Sequence, residues 1–109
     1  MADTLKVLGQ QAPSATTETD LYTVPASTQA LGSSVMVCNR GGTATTFRIS
    51  VSVGGGATAN KDYLYYDTAV PANDTYKATL GMSLGAADKV RIYAGNGNLS
   101  FTLFGMERT

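Results

Sequence analysis

From Thr43 to Val53 apolar and polar residues alternate: Phe47, Ile49, Val51 and Val53 take every second position, with Thr46, Arg48, Ser50 and Ser52 between them. Successive side chains of a strand point to opposite faces, so this pattern predicts a β-strand with one dry and one wet face. A helix would scatter the same four residues around its circumference. Gly41-Gly42 and Gly54-Gly55-Gly56 bound the stretch and supply the permissive backbone that ends an element.

Weaker copies of the pattern fill the rest of the chain. Lys6-Val7-Leu8 is a short candidate strand, and residues 1–20 as a whole read as an extended N-terminal arm whose polar part, Ser14 to Asp20, has no apolar period. Leu8, Gln10, Gln11 and Pro13 are the arm residues expected to reach a neighbour. Residues 21–109 are expected to form the folded domain. Within it, Leu21 to Val24 is a brief strand closed by Pro25, and Ser34 to Asn39 is apolar on both faces, as in a strand covered on two sides. Asn39-Arg40-Gly41-Gly42 fits a tight hairpin into the central strand. Tyr63 to Asp67, Tyr76 to Leu80, Val90 to Ala94 and Leu99 to Phe104 are four further strands, and Gly95-Asn96-Gly97-Asn98 predicts a hairpin joining the last two. Gly81 to Asp88 has room for one helical turn and no more. Seven or eight short strands without a helix predict an all-β, antiparallel β-sandwich, jelly-roll-like or immunoglobulin-like.

Composition narrows the function. Of 109 residues, 43% are hydrophobic and only 15% charged, against a usual charged share of about 25%. So little charge suits a surface covered by copies of the same chain or by another protein. Eight basic and eight acidic residues cancel without forming a run, so no nucleic-acid partner is expected. No apolar stretch reaches the roughly 18 residues that span a bilayer, and no basic segment leads into an apolar core, so neither membrane nor leader is expected. Cys38 stands alone, which excludes an internal disulfide and suggests a small buried side chain.

The chain has no histidine, which removes the commonest acid/base group, the usual zinc ligand and the standard nucleophile triads. No carboxylate pair stands out for glycoside hydrolysis, and Asn60, Asp62, Asn73, Asp74, Asn96 and Asn98 do not follow the calcium-loop spacing. Catalytic, metal and cofactor sites are therefore not expected. What remains is a candidate contact surface. Tyr63, Tyr65 and Tyr66 exceed the aromatic needs of one strand, and Arg48 and Arg91 fall on outward positions of theirs. Carbohydrate is the weaker candidate for that surface.

Taken together, Leu21-Tyr22-Thr23-Val24-Pro25, Val35-Met36-Val37-Cys38-Asn39-Arg40, Tyr63-Leu64-Tyr65-Tyr66-Asp67 and Leu99-Ser100-Phe101-Thr102-Leu103-Phe104-Gly105 resemble a family of small virion structural proteins of tailed bacteriophages. The resemblance runs from about Lys6 to Glu107. It implies a non-enzymatic β-sandwich on the exterior of the virion, decorating the capsid or attached to neck, tail or fibre. It also implies self-association and virion partners, the major capsid protein ahead of tail proteins.

Overall fold

The computed structural model describes residues 2–109 and contains eight strands. They are β1 (Asp3–Gln11), β2 (Thr19–Thr23), β3 (Gln29–Asn39), β4 (Thr45–Ser52), β5 (Tyr63–Val70), β6 (Thr75–Leu84), β7 (Lys89–Ala94) and β8 (Leu99–Arg108). Two short 3₁₀ turns, Val53–Gly55 and Asn60–Asp62, lie in the β4–β5 connection. The strands form two four-stranded antiparallel sheets, ordered β1-β8-β3-β6 and β2-β7-β4-β5. Only β4 and β5 are both consecutive and paired; every other connection crosses from one sheet to the other. Eight strands in this arrangement make a jelly roll rather than an immunoglobulin-type sandwich.

The core lies between the inner faces. Phe47 and Ile49 of β4, Val90, Ile92 and Ala94 of β7 and Val70 of β5 meet Val35 and Val37 of β3 and Leu99, Phe101 and Leu103 of β8. Phe47 sits at the centre of an aromatic group, with its ring centroid 5.7 Å from Tyr65, 5.2 Å from Tyr76 and 6.1 Å from Phe101. Asn39 is the one deeply buried amide. Its Nδ2 donates to the carbonyls of Thr43 (2.9 Å), Pro71 (3.2 Å) and Val70 (3.3 Å), and its Oδ1 accepts from Gly41 N–H at 2.9 Å. One side chain thereby ties the β3–β4 and β5–β6 connections at the same end of the sandwich.

Several expectations need correction. The Asn39–Gly42 turn and the Gly95–Asn98 turn do not close hairpins: β3 and β8 lie in one sheet, β4 and β7 in the other, so both turns span the gap between layers. The dry face of β4 ends at Val51, which packs against the core. Val51 is half-buried and Val53, already in the 3₁₀ turn, is 82% exposed, while Ser50 and Ser52 are buried because the β4–β5 connection folds over them. The β3 strand is interior to its sheet, but Met36 and Cys38 face outward and stay partly exposed. Gly81 to Leu84 continues β6 as strand, because Met82 and Leu84 keep the inward alternation started by Tyr76 and Ala78. The candidate strand Lys6-Val7-Leu8 lies within β1, which pairs with β8 from Asp3↔Arg108 to Gln11↔Phe101 around a bulge at Val7/Gly9. The irregular remainder is the β1–β2 connection.

Candidate functional site

The outer face of the β2-β7-β4-β5 sheet brings Arg48, Arg91, Asp20 and Asp67 together with the exposed aromatic Tyr66. Arg48 on β4 lies directly opposite Tyr93 on β7. Its guanidinium carbon stands 4.2 Å from the Tyr66 ring centroid and 4.4 Å from that of Tyr93. Nε and Nη2 donate to the two oxygens of Asp67, at 2.7 and 3.3 Å. A planar fork between two rings and a carboxylate is held by cation–π attraction and bidentate hydrogen bonds together. The Asp67 contact raises the guanidinium's proton affinity further, so this group stays charged throughout the accessible range. Asp67 reaches it because its backbone adopts φ 51° where β5 bulges between Tyr65 and Thr68. Tyr63 then packs edge-on against Tyr66, 4.9 Å between centroids.

Arg91, next along the same face, is a clasp. Nη1 donates to Ser52 Oγ (3.0 Å), Gly56 O (2.6 Å) and Thr58 Oγ1 (3.1 Å), Nη2 to Gly55 O (3.2 Å), and Nε to Asp20 Oδ1 (3.0 Å). It pins the glycine-rich β4–β5 connection onto the sheet and joins β2 to β7 through Asp20, which Lys89 also meets at 3.0 Å. Contact with Lys89, then Arg91, holds the Asp20 carboxyl below its usual range. Between the two arginines an open groove of about 530 Å³ is lined by Glu18, Arg48, Ala57, Thr58, Tyr63, Arg91 and Tyr93.

The expected contact residues therefore divide. Tyr63, Tyr66, Arg48 and Arg91 share one outer face. Tyr65 points the other way, into the aromatic group with Phe47 and Tyr76. Of the arm residues, Leu8 and Pro13 are buried within the domain, while Gln10 and Gln11 remain exposed on β1. Asp67, which flanks the tyrosine-rich strand in the sequence, completes the face together with Tyr93 and Asp20, which no sequence signal marks as contact residues. The alternation of Arg91 and Tyr93 in β7 did mark Tyr93 as outward, but not that β7 lies beside β4.

Glycoside hydrolysis requires one carboxyl with a raised pKa to act as acid. Where shifts of carboxyl groups are resolved, at Asp3, Asp20, Asp62 and Glu107, every one is downward, caused by hydrogen bonds from Arg108, Lys89, the Ala59 backbone and Tyr22 respectively. Among the described residues no three metal-ligating side chains come together.

No protein-family model matches the sequence, and no curated protein does. Among solved structures, the chain is similar to one from the infectious bursal disease virus Gx strain, with a TM-score of 0.56 and 8% identity over 97% of this chain and 31% of that one. A pentameric capsid protein from metagenomic phage sequences aligns at a TM-score of 0.35 and 14% identity, over 94% of this chain and 60% of that one. The chain thus spans about a third and three-fifths of the lengths of those proteins. At such low identity the first likeness speaks to fold alone: nearly the whole chain forms a jelly-roll sandwich of the kind found in a virus structure.

Proposed function

We propose that this chain is a non-enzymatic structural protein of a virus particle, and specifically a decoration protein on the outer shell of a tailed bacteriophage. The observation that carries this reading is the economy of the fold. Strands run from Asp3 to Arg108 with short connections, leaving two outer sheet faces as the surface on offer. The jelly roll shared with a virus structure and the small charged share of the sequence support it. The major capsid protein is the proposed partner, met by a rigid face rather than by a flexible arm.

Add-back is the test. Particles depleted of this protein, incubated with the purified chain, are expected to bind many copies and to release their genome at a higher temperature. Binding only at the neck or tail would move the address there, and no binding to any part of the particle would reject the reading.

A second reading, attachment to a glycan at neck, tail or fibre, draws on the groove beside Tyr63. It is weakened by Arg48, which already occupies ring faces of Tyr66 and Tyr93 that a sugar would need for stacking.

A further inference from the structure

β1 is an edge strand: among the described residues it pairs with β8 on one side and with nothing on the other. Long unpaired edges are usually shortened, bulged or charged to prevent pairing with another chain. The other three edges show such devices or offer less. β2 has five residues and a register shift, β5 bulges at Asp67, and β6 carries no large exposed apolar side chain. β1 has a bulge only at its far part, Val7/Gly9, and before it exposes Leu5 (83%) and Val7. Its one lysine offers little deterrent, because Lys6 turns toward Glu107 and is ion-paired with it at 3.3 Å.

The hydrogen-bond alternation tells which groups are free. Ala2 and Thr109 exchange both backbone hydrogen bonds, at 3.0 Å each. In an antiparallel ladder such pairs occur at every second residue, so Thr4 and Lys6 also bond toward β8, while Asp3, Leu5 and Val7 direct their N–H and C=O to the open edge. The side chains alternate with the same period. Leu5 and Val7 lie beside Met106 and Phe104 on the outer face, and Thr4 and Lys6 lie beside Glu107 and Gly105 on the inner one.

We propose that the partner for this edge is a second copy of the chain, joined antiparallel through β1 about a two-fold axis at Leu5. Centring on Leu5 sets Leu5 against Leu5 of the second copy and Asp3 against Val7 of the second copy. All of these direct their backbone groups outward, and the pairing closes with about six backbone hydrogen bonds. Centring on Lys6 instead would oppose two ammonium groups, and centring on Val7 would run into the bulge. With the axis at Leu5 the charges are complementary. Thr4 faces Lys6 of the second copy, and because Thr4 pairs with Glu107, each lysine stands in the row of the other copy's glutamate. On the outer face, Leu31, Met106 and Leu5 form one row, which continues through the axis into the same residues of the second copy. The product is a continuous eight-stranded sheet with an apolar stripe across its middle. This inference does not rest on the particle reading and can fail or hold without it.

Sedimentation velocity of the purified chain across the micromolar range tests it. The expected result is a monomer–dimer equilibrium whose dissociation constant rises about 100-fold or more in Leu5→Lys, with an unchanged circular dichroism spectrum because Leu5 is exposed in the monomer. In a Cys38→Ser background, Leu5→Cys is expected to oxidise to a covalent dimer faster than Gln10→Cys, since hydrogen-bonded partners stand about 5.5 Å apart at Cα, within disulfide reach. A monomer at every concentration, a dimer indifferent to Leu5→Lys, or equal oxidation of the two cysteine variants would overturn the proposal.

Discussion

Tyr22 and Glu107 connect the two sheets by a single short hydrogen bond, the phenol on β2 donating to a carboxylate oxygen on β8. That bond, followed by the Lys6 contact, holds the Glu107 carboxyl below its ordinary range, and burial together with Glu107 pushes the Tyr22 phenol up. A depressed carboxyl contributes stability that is present above its unfolded pKa and is lost as pH falls through the folded one. A raised phenol contributes stability present below its unfolded pKa of about 10 and lost as pH climbs further. Melting temperature is therefore expected to be flat near neutrality and to fall below about pH 4.5 and above about pH 10. Tyr22→Phe should lower stability at pH 7 by about 1–2 kcal/mol and flatten both limbs. Unchanged limbs in Tyr22→Phe would show that this bond is not their source.

Asn39, 1% exposed, shares the two protons of its amide among three carbonyls and accepts one N–H. Asn39→Ala deprives the buried Val70 carbonyl and the part-buried groups around it of this partner, at a cost of about 1–3 kcal/mol for each that water cannot reach. Denaturant unfolding is expected to show a loss of at least about 3 kcal/mol. A loss under 1 kcal/mol would mean that water replaces the amide.

A methyl group on Gly9 would lie 2.2 Å from the carbonyl oxygen of Leu21. Gly9 follows the bulge of β1 and sits against the Leu21 backbone of β2, so Gly9→Ala must push the sheet edges apart. It is expected to destabilise far more than Gly97→Ala, whose added methyl meets nothing within 4 Å. Equal melting temperatures for the two variants would contradict the close approach.

Arg91 and Arg48 differ in what they hold. Arg91→Ala should free the 53–62 connection, read as faster amide exchange there and at Ser50 and Ser52. Arg48→Ala should leave exchange in that segment nearly unchanged and release Tyr66 and Tyr93. Exposed ion pairs contribute little to global stability, so Arg48→Ala is expected to lower the melting temperature less than Arg91→Ala does.

The fold class was legible in the sequence because alternation is a local property: Phe47, Ile49, Val90, Ile92, Phe101 and Leu103 declare their faces without knowledge of their neighbours. Pairing is not local. Val90–Ala94 and Leu99–Phe104 show the same alternation whether they share a sheet or face each other across the core, and a four-residue turn serves either, so the expected hairpin turned out to be an inter-sheet crossing. The outer-face cluster was legible in part for the same reason. Arg48 and Arg91 read as outward from β4 and β7, but only the β4–β7 register sets Tyr93 opposite Arg48, and only the bulge at Asp67 brings a carboxylate within reach. Residue type alone groups Tyr65 with its neighbours, whereas strand parity separates it from Tyr66 and sends it to Phe47.

An electron-microscopic map of the intact particle tests the central claim most directly. The account predicts density for this eight-stranded sandwich repeated over the outer shell, seated on the major capsid protein. A map that accounts for every shell, neck and tail component without such a density would contradict it.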